Sequence, residues 1–153
     1  MAMAQQSNQQ LAQPEKTFTS AADVDAMIAK AKKERKPDQA NFIQSLLVLA
    51  PYAVNLDYRV EGIDTPATVH EKEAELICVV EGTGTLTVGG KLIGNKRTNA
   101  SNLSGTGVEG GTPRRISKGD YIFVPENTPR AFTKMQGRLI IMSVYVPRAG
   151  SPG

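Results

Sequence analysis

Residues 62–82 read GIDTPATVHEKEAELICVVEG, and the fold is decided there. The stretch opens on Gly62 and closes on Gly82, and between them lies the continuous apolar run LICVV, the signature of a strand buried in a β protein. Thr68 and His70 stand two apart, so on a strand they share a face, and Glu75 on the next strand can point at them. A second stretch, residues 119–134, GDYIFVPENTPRAFTK, has the same grammar. Gly119 marks a turn, Pro125 closes a short strand, and Arg130 and Phe132 stand two apart on one face. Around these segments, short alternating runs separated by Gly, Pro and Asn predict strands at 42–49, 52–61, 75–81, 84–88, 121–124, 131–134 and 139–146. Only the linker at 89–113 is long enough for a parallel crossover, so the sheets should be mostly antiparallel.

The two stretches resemble the paired motifs of the cupin superfamily. The first pattern in that family is Gly, five residues, His-x-His, three or four residues, Glu, six residues, Gly. Gly62, Thr68, His70, Glu75 and Gly82 fall on those positions. The second is Gly, five residues, Pro-x-Gly, two residues, His, three residues, Asn, matched by Gly119, Pro125, Asn127, Arg130 and Lys134. The resemblance implies an all-β fold: a small antiparallel double-stranded β-helix, the jelly-roll or RmlC-like barrel. In that family the two histidines and the glutamate of the first motif, with the histidine of the second, bind a divalent metal such as Mn, Fe, Ni or Zn.

That ligand set is incomplete here. His70 is the only histidine, Thr68 stands at the first imidazole position and Arg130 at the last. A guanidinium is always protonated and cannot ligate, and first-row metal sites generally use three or four protein ligands. A positive side chain a few ångströms from a cation repels it by about 4 kcal/mol at an effective dielectric of 20. His70 and Glu75 are therefore the only metal ligands carried over, and no strong metal is expected. Burying Arg130 requires a carboxylate: either Glu75, filling the vacated place with a salt bridge, or an anionic ligand held by a two-pronged hydrogen bond. In the second case His70 would donate or shuttle a proton and Thr68 would supply a hydroxyl. Tyr58, Tyr121 and Phe132 complete the candidate ligand-binding set. Tyr58 and Arg59 are sequence neighbours, so one of the two faces inward.

These residues lead to a small-molecule-binding cupin, most simply one that takes a carboxylate, with a degenerate metal site. The alternatives are a metal-dependent oxygenase, isomerase or lyase using His70 and Glu75, and an inert structural or partner-binding barrel. Sequence does not decide whether the protein is an enzyme.

The rest of the chain narrows the setting. Its 153 residues, 40% apolar and 22% charged, suit one domain. No apolar run approaches the ~20 residues of a membrane span, and the dispersed charges behind a net +3, with no Trp, give no nucleic-acid face. Residues 1–18 read as a loose arm. A helix is expected within 19–37, capped by Ser20 with Asp23 and ended by Pro37, followed by the barrel over 38–148 and a tail at 149–153. Ala2-Met3-Ala4 has the small-x-small form of a signal-peptidase site, which tilts the expectation toward an exported protein whose signal has been trimmed. Cys78 has no internal partner and reads as a core filler. Gly105, Gly107 and Gly110 match a nucleotide-loop pattern, but Pro113 and a β-type segment follow where a helix would be required. Asn99-Ala100-Ser101 is a glycosylation acceptor by pattern only. The linker at 89–113 is either a functional loop or an excursion from the barrel. The apolar strand at 42–49 needs cover, which points to a homodimer.

Overall fold

The computed structural model describes residues 13–63 and 65–148. Most of the expected arm, with Ala2-Met3-Ala4, and the tail at 149–153 lie outside the described residues.

Helix α1 (Ala21–Glu34) starts at Ser20, whose hydroxyl accepts from the Asp23 amide while the Asp23 carboxylate accepts from the Ser20 amide. This reciprocal cap satisfies two amides that the helix itself leaves unbonded. Eleven strands follow: β1 (Asn41–Leu49), β2 (Tyr52–Val60), β3 (Ala67–His70), β4 (Glu73–Val88), β5 (Lys91–Ile93), β6 (Lys96–Arg97), β7 (Asn102–Gly105), β8 (Gly107–Glu109), β9 (Thr112–Ser117), β10 (Tyr121–Val124) and β11 (Arg130–Pro147). Every pairing among them is antiparallel.

Two long strands make the barrel. The pairs expected at 75–81 with 84–88, and at 131–134 with 139–146, are each one continuous strand, β4 and β11. These two pair along most of their length and bend from one layer into the other. Their first-layer halves are flanked by β2 with β1 on one side and by β10 on the other; their second-layer halves are flanked by β3 with β7 and β6, and by β9. The bend falls at Gly82, where φ is +87° and an added Cβ would lie 1.9 Å from the Arg138 carbonyl oxygen. Only glycine fits a strand whose neighbour passes that close. The ladder slips at the same place, between Thr133 and Gln136 and again before Leu139.

The inner faces meet in a core that includes Ile77, Val79, Leu86, Ile116, Phe132 and Leu139. A second cluster lies outside the first layer, where Val24, Met27, Ile28 and Ala31 of α1 pack on Leu56, Tyr58 and Ile140. Much of the cover expected from a second subunit over β1 is thus intramolecular. Phe42 and Leu46 pack against the helix cluster, Gln44 donates to the Met27 carbonyl at 2.8 Å, and Lys16 exchanges two backbone hydrogen bonds with Val48. Cys78 is half-buried. The 89–113 segment is organised: β7 extends the second layer beside β3, and β5 pairs with β8.

Gly82→Ala adds both a left-handed strain and a backbone clash, so it should lower stability by more than about 3 kcal/mol in urea denaturation. Gly119→Ala, at a turn with nothing within 4 Å of the new Cβ, should lose only about 1 kcal/mol.

Candidate functional site

Charged side chains are rare inside barrels, yet four of them meet between β2, β3, β4 and β11. Asp57, Arg59, Glu75 and Arg130 are all at most 5% exposed. Strand periodicity places them. Glu75 shares the inward face of β4 with Ile77 and Val79, and Arg130 shares that of β11 with Phe132. Thr68 on β3 lies directly opposite Arg130.

Arg130 donates from Nε to Glu75 Oε1 at 2.5 Å and from Nη2 to Oε2 at 3.2 Å, a two-pronged ion pair. On β2, Arg59 donates from Nε to Asp57 Oδ2 at 2.9 Å, brings Nη2 within 2.8 Å of the same oxygen, and donates from Nη1 to Thr65 Oγ1 at 2.8 Å. Both guanidinium carbons lie over the Phe132 ring, that of Arg59 at 4.3 Å and that of Arg130 at 4.9 Å from its centroid. A desolvated aromatic face so placed stabilises each cation by about 1–2 kcal/mol. His70 meets Tyr145 edge-on at 4.9 Å, and its Nδ1 lies 2.9 Å from Asn102 Oδ1 on β7. An amide oxygen only accepts, so Nδ1 carries a proton toward Asn102, and the tautomer with that proton alone leaves Nε2 as an acceptor.

Burial pulls the two carboxyls in one direction and their partners in the other, with different outcomes. At Glu75 burial acts to raise the pKa, but the charge and hydrogen bonds of Arg130, helped by His70 and Ser143, outweigh it and hold the carboxyl below its ordinary range. At Asp57 burial wins over Arg59, and the carboxyl is raised. The Arg59 guanidinium is correspondingly lowered, chiefly by burial. Burial and then the Glu75 charge push Tyr145 up to about 12, so its hydroxyl stays protonated and able to donate. Three polar atoms in this region are buried with no partner: Asp57 Oδ1, Thr68 Oγ1 and His70 Nε2.

The structure thus brings together Thr68, His70, Glu75, Arg130 and Phe132 as the motif spacing predicts, and it corrects two members of the set. Tyr58 is not in the site. It lies on the other face of β2 against α1, while Arg59 takes the inward position. Tyr121 is 74% exposed on β10, because its inward neighbours on that strand are Ile122 and Val124. Sequence reasoning missed Asp57, Tyr145 and Asn102. Asp57 was within reach, since it stands two residues before Arg59 and so shares its face. Asn102 was not, because nothing in the 89–113 stretch announces that it pairs with β3.

A divalent metal of the kind the resemblance implies does not fit these residues. Both Glu75 oxygens are held by Arg130, and among the described residues no three His, Cys, Asp or Glu side chains are grouped so as to hold an ion.

No family model matches the chain, and no curated protein matches it by sequence. Solved structures do resemble it. The DMSP lyase DddQ from Ruegeria pomeroyi is similar with a TM-score of 0.58 at 18% identity, over 92% of this chain and 70% of its own. The Schizosaccharomyces pombe Cnp3 cupin domain gives 0.54 at 13% identity, over 76% and 72%. KdgF from Halomonas sp. gives 0.53 at 15% identity, over 75% and 85%. The chain shares the barrel fold of these structures; at such identities the likeness is one of fold alone.

Removing one member of a buried pair strands the other, so Glu75→Gln should lose about 3–5 kcal/mol at pH 7 in chemical denaturation. Glu75→Leu with Arg130→Met should recover most of that loss. Because the folded pKa of Glu75 is depressed, its contribution is complete above the unfolded pKa, roughly 4.3, and is lost as pH falls through the lower folded value. The gap between wild type and Glu75→Gln should therefore narrow below about pH 4.

Arg130 and Thr68 also offer a gain-of-function test of the placement. Thr68→His combined with Arg130→His should take up about one equivalent of Co(II), with visible d–d absorption absent from the wild type. A folded double variant that takes up none would mean that these side chains do not converge with His70 and Glu75.

Proposed function

We propose that the protein binds a small carboxylate, without a metal, where Thr68, His70 and Arg130 meet. The three buried polar atoms without partners carry this reading. Each such atom costs about 1–3 kcal/mol when left unbonded, while the rest of the cluster is well satisfied, so the region is short of a polar molecule. Glu75 occupies Nε and Nη2 of Arg130, and among the described residues Nη1 has no hydrogen-bond partner. Nη1 and the Thr68 hydroxyl are two donors from directly opposed positions on neighbouring strands, which suits a carboxylate. His70 Nε2 and Asp57 Oδ1 are acceptors, which suits a hydroxyl or another donor on the same molecule. The chemical class is a short hydroxy-carboxylate. The reading rests on these residues, which are this chain's own, and not on the similar structures.

Thermal denaturation with lactate, malate and glycerate, each beside its deoxy counterpart, tests the proposal. A ligand at a hundred times its Kd adds about 2.7 kcal/mol, which for a domain of this size is roughly 5–10 °C in Tm. The hydroxy acids should give the larger shift, and Thr68→Val and His70→Gln should each abolish it. If no carboxylate stabilises the wild type, the two ion pairs are simply the filling of an inert barrel.

A further inference from the structure

A separate cavity of about 250 Å³ opens between β9 and β10, at the opposite end of the second layer from β3. Its floor is core: Leu86 and Ile116 are 1% exposed, and Ile122 packs against the same cluster. Its rim is different in kind. Tyr121 and Phe123 are 74% and 57% exposed, among the largest apolar groups left in water on this molecule. Arg114, also on the rim, is exposed and has no carboxylate within ion-pair distance among the described residues. β9 and β10 each pair with β4 alone, so the cavity lies between two bare strand edges. Register fixes the relation between the cation and the floor. Arg114 lies directly opposite Leu86, and Leu86 lies opposite Phe132 on its other side. Directly opposed residues point to the same face, so the Arg114 side chain rises from the same inner surface that forms the apolar floor.

We infer that this cleft binds a small aromatic carboxylate. The ring lies over the apolar floor of Leu86, Ile116 and Ile122, at the edge of the strand that carries Tyr121 and Phe123. The carboxylate meets the Arg114 guanidinium, which can hold it by two parallel hydrogen bonds. The volume is below the ~300–1,000 Å³ of pockets for drug-sized ligands, which limits the occupant to about one ring with a short acidic arm and excludes a peptide. A lone exposed arginine is ordinary; the concave floor of core residues directly beside it makes this a site. It shares no residue with the Thr68–His70–Arg130 site and stands independently of it.

Methyl NMR of the full chain, titrated with phenylacetate, phenethyl alcohol and acetate, tests the assignment. Phenylacetate should shift the Leu86, Ile116 and Ile122 methyls saturably, phenethyl alcohol should bind at least tenfold more weakly, and acetate should leave these methyls unmoved. Arg114→Gln, a surface change, should bring phenylacetate down to the level of the alcohol, whereas Thr68→Val should leave its binding unchanged. Methyl shifts that fail to saturate, or that survive Arg114→Gln undiminished, would overturn the inference. So would concentration-dependent dimerisation in sedimentation velocity that Tyr121→Ser with Phe123→Ser abolishes while phenylacetate leaves the methyls unmoved, since the exposed edge would then serve a second copy of the chain.

Discussion

A guanidinium inside a small barrel dictates what may surround it. Arg130 is held among β-strands with almost no access to water, and stranding its charge there would remove about 3–5 kcal/mol, a large share of the roughly 5–15 kcal/mol that holds a typical domain together. The chain answers with Glu75, whose two oxygens take two of its donors, and with the ring of Phe132 beneath the cation. Once that pair exists, the carboxylate that a metal would need is already engaged, and a guanidinium stands beside it. Arg130 therefore both opposes a cation by its charge and engages the carboxylate of Glu75.

The second pair, Asp57 with Arg59, balances the first in charge but not in quality. Arg59 puts two donors on one oxygen of Asp57 and none on the other. Burial accordingly raises Asp57 while Glu75 is lowered. The linkage signs are opposite. Glu75 stabilises the fold once ionised, whereas Asp57, with its folded pKa raised, contributes stability at low pH that is lost as pH rises through that value. A cluster neutral overall thus has one closed end, at Glu75, and one end with an oxygen to spare, at Asp57. Selectivity for a ligand would arise at the open end, because the acceptors left there discriminate against molecules that bring no hydrogen-bond donor.

The sequence made the two motif segments legible because their spacing is set by backbone geometry. Gly62, Gly82 and Gly119 all adopt positive φ, and Asn127 stands with φ of 54° where the cupin pattern has glycine. Those positions can be recognised without knowing what the site binds. What stayed hidden depends on packing between distant segments. Whether Tyr58 or Arg59 faces inward is decided by α1, which offers Tyr58 an apolar partner outside the barrel; periodicity only says that they differ. Whether Tyr121 is inward depends on Ile122 lying opposite Ile77, a register that the strand does not encode by itself. Asn102 reaches His70 only because a glycine-rich stretch, featureless in composition, adds a strand beside β3.

The same distinction governs how far the similar structures can be followed. At identities of 13–18% what is shared is the course of the backbone. A shared backbone course constrains φ, register and the alternation of inward apolar residues, and it does not fix which polar groups point into the interior. The side chains at the four family ligand positions here are Thr68, His70, Glu75 and Arg130. His70 and Glu75 keep the side-chain types of that ligand set, Thr68 offers a hydroxyl in place of an imidazole, and only Arg130 excludes ligation outright. Gly82 and the inward row of Ile77, Val79 and Leu139, which shape the barrel, lie outside those four positions, so the interior polar groups can differ while the barrel stays the same. The function must therefore be sought in the partners of the few interior polar atoms and not in the likeness of the strands that carry them.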